Sequence, residues 1–203
     1  MYPNPLFCGL ISRMYIPLIQ RRLSMERDKT ARLILRAGNG DADAFVELME
    51  QNKQSLYKTA KAWLVREEDV ADAISETILD CFEHLDTLRE PRYFKTWLVR
   101  ILIHNCSNIR KQNQRSGLVG ELEALDRDDV VRAGSGMPED NRAFLEYLEP
   151  LNEEDRKLMI LFYVWGFRTR EIAELLHIRE TTVKARLQRG REKIKKSFFP
   201  LVV

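Results

Sequence analysis

Apolar residues in this chain recur at three- and four-residue intervals through two long blocks, from about Met25 to Gln114 and from about Glu139 to Phe199. Almost nowhere do they alternate at the two-residue interval of a strand. That periodicity is the strongest constraint on the fold: it predicts an all-α protein built as two small helical domains. Between the blocks, residues 115–138 carry Gly117, Gly120, Gly134, Gly136 and Pro138 among several acids. No helical repeat is sustained there, so the segment reads as a flexible linker.

The 203 residues suffice for one domain or two small ones, and the 32% charged share suits a water-exposed helical protein. Net charge is only +2, so any case for nucleic-acid binding rests on where the charge sits. Cys8, Cys81 and Cys106 are odd in number and form no CxxC pair. They argue against a disulfide framework or a zinc site and fit a reducing cytosol. His84, His104 and His177 are far apart in sequence, with no ligand-type spacing to another donor, so neither a metal nor a cofactor is expected. The apolar stretch from Leu6 to Ile19 is interrupted by Arg13 and Pro17 and falls short of a bilayer span. Its Arg21-Arg22 pair follows the apolar run, the reverse of a secretory signal. Residues 1–24 therefore read as a disordered leader or a mis-assigned start.

In the first block, Gly38-Asn39-Gly40-Asp41 marks a turn and an N-cap, and Phe45, Leu48 and Met49 then begin a helical stripe. From about Glu68 to Leu85, Val70, Ala73, Ile74, Thr77, Ile78, Cys81, Phe82 and Leu85 form one apolar face. Asp69, Asp72, Glu76, Asp80 and Glu83 follow the same period on another face. A solvated face would account for them, but an acidic stripe without interleaved lysine gains no pairing along the helix and repels itself. A basic partner surface is the functional alternative. After the breaker Arg89-Glu90-Pro91, a helix from about Tyr93 to Lys111 places Phe94, Trp97, Leu98, Ile101, Leu102 and Asn105 inward. Arg92, Lys95, Arg100, Arg110, Lys111 and Arg115 make its ends and outer side basic. Cations beside aromatics suit unpaired bases, which stack on rings while cations meet phosphates. The spacing of Phe94 and Trp97 assigns them to the core and leaves Tyr93 as the aromatic contact.

In the second block, Asn152 reads as the N-cap of a helix that ends near Gly166. Thr169 can cap the next helix, from Arg170 to Leu176, with Ile172, Ala173 and Leu176 inward. A short turn at His177-Ile178-Arg179 precedes a helix from about Glu180 to Lys196. Two short helices about a tight turn, the second rich in cations, form a helix-turn-helix. Between Arg179 and Lys196 lie eight basic and two acidic residues, a local balance of +6. Val183, Leu187 and Ile194 pack this helix, while Lys184, Arg186, Gln188 and Arg189 point outward. Arginine suits guanine edges, glutamine suits adenine, and lysine or threonine suits phosphates.

These residues together resemble the extracytoplasmic-function group of the sigma-70 RNA polymerase sigma factors. The likeness spans about Leu33 to Phe198. It rests on Gly40-Asp41-Ala42-Asp43-Ala44-Phe45, on the run from Asp69 to Thr77, and on Phe94-Lys95-Thr96-Trp97-Leu98. In the second block it rests on Leu151 to Arg156, Glu171-Ile172-Ala173, and the run from Thr181 to Arg191. The resemblance implies sigma region 2 at 25–114, a linker at 115–138 and region 4 at 139–199. It assigns Asp69, Asp72, Glu76 and Asp80 to the β′ clamp of core RNA polymerase, and implies a second contact between the chain and the β flap. It assigns Arg89, Arg92, Tyr93, Lys95, Arg100, Asn108 and Lys111 to the −10 promoter element, which the first domain would melt and read. It assigns Thr181, Thr182, Lys184, Ala185, Arg186, Gln188 and Arg189 to the −35 element in duplex form. Ile103-His104-Asn105-Cys106-Ser107-Asn108 departs from the family, lacking the aspartate usual near the end of that helix. A minimal, alternative sigma factor is implied, working in the cytoplasm and held inactive by a membrane-anchored anti-sigma factor.

Two other classes compete. A conventional helix-turn-helix regulator would use the first block to dimerise or sense a ligand, but leaves the acidic stripe and the basic aromatic helix unexplained. An enzyme acting on nucleic acid would need paired carboxylates, a metal cluster, a phosphate loop or a nucleophile–base pair, and none is present in the sequence. No small-molecule substrate is expected.

Overall fold

The computed structural model describes residues 29–115 and 139–198, and the side chains of the second stretch from residue 143. The expected leader and nearly all of the expected linker lie outside these residues. The described residues are mostly helical, joined by short turns, with no strand among them.

The first lobe opens with α1 (29–38), which stops at the glycine-rich turn where Gly40 adopts φ 89°. Asp41 caps α2 (Ala42–Trp63), its carboxylate accepting the Ala44 N–H at 3.0 Å, as the sequence predicts. Phe45, Leu48, Met49, Leu56, Ala60 and Trp63 lie on the buried side of α2. Next comes α3 (Glu67–His84), then two single turns of 3₁₀ helix, Leu85–Thr87 and Pro91–Tyr93, and α4 (Phe94–Arg115). Helix α4 is thus longer than its apolar period suggests and takes in Arg115, the first residue of the expected linker. Helices α2, α3 and α4 pack against one another. Ile74 and Ile78 are partly buried, but Phe82 is 62% exposed and leaves the apolar face expected for it. Its ring meets Phe45 edge-on at 5.2 Å instead.

The second lobe contains α5 (Glu139–Tyr147), α6 (Glu153–Tyr163), α7 (Thr169–Leu176) and α8 (Glu180–Phe198). Asn152 caps α6 by accepting the Asp155 N–H at 2.8 Å. Gly166, at φ 71°, turns the chain towards α7. Thr169, expected as the cap of α7, is its first helical residue. The Arg168 N–H goes to the Glu171 carboxylate at 2.7 Å, which frees the Thr169 hydroxyl to donate to Glu180 at 2.7 Å. That bond ties the start of α7 to the start of α8. The turn between them passes through His177 at φ 53°, the left-handed region that ends many helices. Gly190 brings α8 close to α6, since a Cβ there would meet the Met159 methyl at 3.0 Å.

The lobes are not merely tethered. Helix α6 lies along α2, and one cluster of buried apolar side chains runs through both lobes. Trp165, 4% exposed, donates its indole N–H to the Thr59 hydroxyl at 2.8 Å, and that hydroxyl donates to the Ser55 carbonyl at 2.7 Å. The Lys157 ammonium sits 5.2 Å from the centre of the Trp63 ring, and Lys58 sits 4.8 Å from that of Phe144. Both terminal guanidinium nitrogens of Arg110 reach the two oxygens of Glu153, which also takes Lys157 at 2.6 Å.

Candidate nucleic-acid and partner surfaces

The acidic stripe of α3 divides in two. Asp69, 9% exposed, accepts from the Asn113 amide at 2.8 Å, and Asp80, half-buried, accepts from the Asn105 amide at 2.8 Å. Asn105 is itself buried and lies 3.3 Å from the Thr77 hydroxyl. The departure from the family pattern on α4 thus includes a residue that stitches α4 to α3. Asp72, Glu76 and Glu83 are exposed, and neither Asp72 nor Glu76 pairs with another described residue. Leu79, 57% exposed, interrupts them on the same side. A partner would meet carboxylates around an apolar spot, a surface suited to a helix carrying both basic and aliphatic side chains.

The loop before α4 and α4 itself expose Arg89, Arg92, Tyr93, Lys95, Arg100, Asn108 and Lys111. Arg92 lies 4.8 Å from the Tyr93 ring centre and 3.2 Å from Glu90. Tyr93 is 53% exposed while Phe94 is 1% exposed, so the two neighbours separate cleanly into surface and core. Trp97, expected in the core, is only half-buried; it sits 6.2 Å from Phe94 and lines a cleft of about 700 Å³. Arg100 and His104 of α4 share that cleft with His84, and Leu175 and His177 reach it from the second lobe. The fold gathers all three histidines at one cleft, which their sequence separation conceals. Among the described residues no three donors are arranged to hold a metal ion.

In the second lobe, Val183, Leu187 and Gly190 form the buried side of α8. Thr181, Lys184, Ala185, Gln188 and Arg189 are exposed, Thr182 is half-buried, and the local charge faces water. Lys184 pairs with Glu180 at 2.9 Å, and Gln188 donates to Glu192 at 3.2 Å. Arg186 differs from its neighbours. It lies on the flank, 29% exposed, and donates to Glu154 of α6 at 3.4 Å. Two turns further on, Lys193 reaches the buried carboxylate of Asp155 at 3.5 Å. Reasoning from the sequence missed Glu153, Glu154 and Asp155 as partners of cations elsewhere. Their one signal there was three consecutive acids after an N-cap, which the helix dipole alone would explain.

No helix among the described residues is long and apolar enough to cross a membrane. Comparison with known proteins matches residues 48–116 to sigma-70 region 2 and residues 141–194 to sigma-70 region 4. The ECF RNA polymerase sigma factor SigW of Bacillus subtilis is 29% identical over 168 residues, spanning 77% of this chain and 90% of that one. The sigma factor NccH of Alcaligenes xylosoxydans xylosoxydans is 26% identical over 80% of this chain and 90% of its own length. Among solved structures, CnrH in complex with the cytosolic domain of CnrY matches with a TM-score of 0.57 at 20% identity, covering 85% of this chain and 99% of that one. The sigma factor RpoE in complex with the anti-sigma factor NepR from Bartonella quintana matches at 0.55 and 19%, over 75% and 94%. Two region models in their proper order, curated relatives along most of the chain and a shared helical fold agree: this chain belongs to the extracytoplasmic-function subfamily of the sigma-70 family, an alternative sigma factor that directs core RNA polymerase to specific promoters.

Proposed function

We propose that the two lobes divide promoter recognition, residues 25–114 serving as region 2, residues 139–199 as region 4, and 115–138 as the connection that lets them act on separate elements. The observation that carries this reading is the pair α7 and α8, locked by Thr169 and Glu180, which turns Lys184, Ala185, Gln188 and Arg189 outward as one surface. A recognition helix so held can enter the major groove and read a −35 element, with Thr181 and Thr182 near the phosphates. Arg186 joins it from the flank.

Region 2 binds the β′ clamp chiefly through Asp72 and Glu76, with Leu79 filling the space between them; Asp69 and Asp80 support the stripe from within the bundle. Arg89, Arg92, Tyr93, Lys95, Arg100, Asn108 and Lys111 capture the opened −10 strand, with Tyr93 and the half-buried Trp97 offering faces for bases. Extruding a base costs a few kcal/mol, which stacking and phosphate contacts must offset. Region 4 also meets the β flap. The core polymerase performs RNA synthesis, and the chain itself catalyses nothing. It works in the cytoplasm and is held there by a membrane-anchored anti-sigma factor, a reading supported by two similar structures being complexes with CnrY and NepR.

Adding the purified chain to sigma-free core polymerase, with a broad library of promoters, tests this directly. Initiation confined to a related set of promoters is expected; initiation at none of them would overturn it.

A further inference from the structure

The two ends of the Arg186 contact have different duties. Arg186 stands on the helix that reads DNA, while Glu154 stands on α6, on the side of α8 away from its outward surface. We propose that Glu154 is a positioning and specificity-determining residue: it holds the Arg186 guanidinium on the flank of α8, so that Arg186 favours a correct site over random DNA. The proposal rests on the reading of α8 as a recognition helix.

Three observations carry it. Arg186 is the one member of the proposed −35 set whose acidic partner lies on another helix, at 3.4 Å, and it is less exposed than Lys184, whose partner Glu180 is on α8 itself. Glu154 is not alone: Asp155, the next residue, takes Lys193 at 3.5 Å. Arg186 and Lys193 are seven residues apart, hence on one side of α8, and two adjacent acids of the first turn of α6 receive them. Both acids sit at a helix N-terminus, where the dipole favours carboxylates.

The physical consequence is twofold. An unheld arginine samples many rotamers and is drawn to any phosphate, which strengthens binding to every sequence alike. A held arginine carries a partly neutralised charge at a defined place. It loses attraction for phosphates at large and gives up less freedom when a matching base pair presents its acceptors. Glu154 therefore lowers random-site affinity more than correct-site affinity.

The experiment measures binding of the full chain, loaded on core polymerase, to a −35-containing duplex selected from the promoter library and to a scrambled duplex, across a range of salt. Four proteins are compared: wild type, Glu154→Gln, Arg186→Ala and the double variant. Glu154→Gln is expected to bind the scrambled duplex about three- to fivefold more tightly, the size of an exposed ion pair, and the selected duplex no more than about twofold more tightly. The salt dependence on the scrambled duplex should steepen by close to one phosphate contact, which a loss of fold would not produce. In the Arg186→Ala background the same change should do nothing. An equal effect of Glu154→Gln with and without Arg186 would overturn the positioning role while leaving DNA reading intact. A wild-type complex that fails to distinguish the two duplexes would instead overturn the −35 reading itself, and this proposal with it.

Discussion

Thr59→Val is the substitution that most sharply tests how the two lobes hold together. Valine keeps the shape of threonine but cannot accept the Trp165 indole N–H, which the fold buries at a side chain only 4% exposed. The Ser55 carbonyl also loses the hydroxyl proton it receives at 2.7 Å, but as a carbonyl inside α2 it keeps its helical partner. The cost is therefore dominated by one orphaned donor, about 1–3 kcal/mol. That corresponds to a shift of about five- to 150-fold in the equilibrium between docked and separated lobes. Trp165→Phe removes the donor instead: it loses a net hydrogen bond worth about 1 kcal/mol and adds a packing loss. Once the donor is gone, Thr59→Val has nothing left to orphan, so the two costs should fall short of additive by about 1 kcal/mol or more. Thr59→Ser, which keeps the hydroxyl, serves as control. The assay pairs urea unfolding with hydrogen exchange at the Trp165 indole, whose resonance is identified by its loss in Trp165→Phe. Thr59→Val should lower the unfolding midpoint and speed indole exchange by the same factor. If Thr59→Val and Thr59→Ser match in both, the indole is not bonded to Thr59 and the account of the lobe contact fails.

Charge reversal at Asp72 and Glu76 together should abolish binding to core polymerase while leaving the helical circular dichroism unchanged, because both side chains are exposed; pull-down with core polymerase reads the outcome. Asp69→Ala should instead lower thermal stability, by about 1 kcal/mol, because the Asn113 amide loses its acceptor. Burial pushes the thiols of Cys81 and Cys106 up to about 12, so both should resist alkylation at pH 8 until the chain unfolds, as counted by mass spectrometry. Glu153 is pulled upward by burial, but the bonds from Arg110 and Lys157 outweigh this and hold its carboxyl below its ordinary value of 4.5. A depressed folded value means its contribution is complete above 4.5 and fades as pH falls through the lowered value. The gap in urea midpoint between wild type and Glu153→Gln should accordingly narrow under acid.

The helices were legible because their signals are local. Asp41 and Asn152 cap where a short acceptor precedes an apolar period, and the split between Tyr93 and Phe94 follows from helical phase alone. Where the reading failed, the competing interaction was long-range. Phe82 has the period of a core residue yet stays exposed, because the side of α3 it joins is covered only as far as Phe45. Thr169 is not the cap because the cap falls one residue earlier, at Arg168, whose N–H the Glu171 carboxylate receives, and the Thr169 hydroxyl donates instead to Glu180, eleven residues on. The inward turn of Asp69 and Asp80 depended on amides at Asn113 and Asn105, and no periodicity in α3 could announce those. The contact between lobes was the least visible of all, since Thr59 and Trp165 are 106 residues apart, one inside α2 and the other in the turn between α6 and α7.

The cleft that Trp97 and Arg100 share with Leu175 and His177 has a thermodynamic meaning beyond its shape. If the proposed strand capture at Trp97 and Arg100 requires the second lobe to move off that cleft, strand capture and lobe docking would exclude one another. The free chain would then display an apparent dissociation constant equal to its intrinsic one divided by the undocked fraction. With about one molecule in a hundred undocked, affinity for a −10 strand would be weakened about a hundredfold without the loss of a single DNA contact. Any surface that engages the separated lobes would then raise that fraction, and restore strand affinity from a distance.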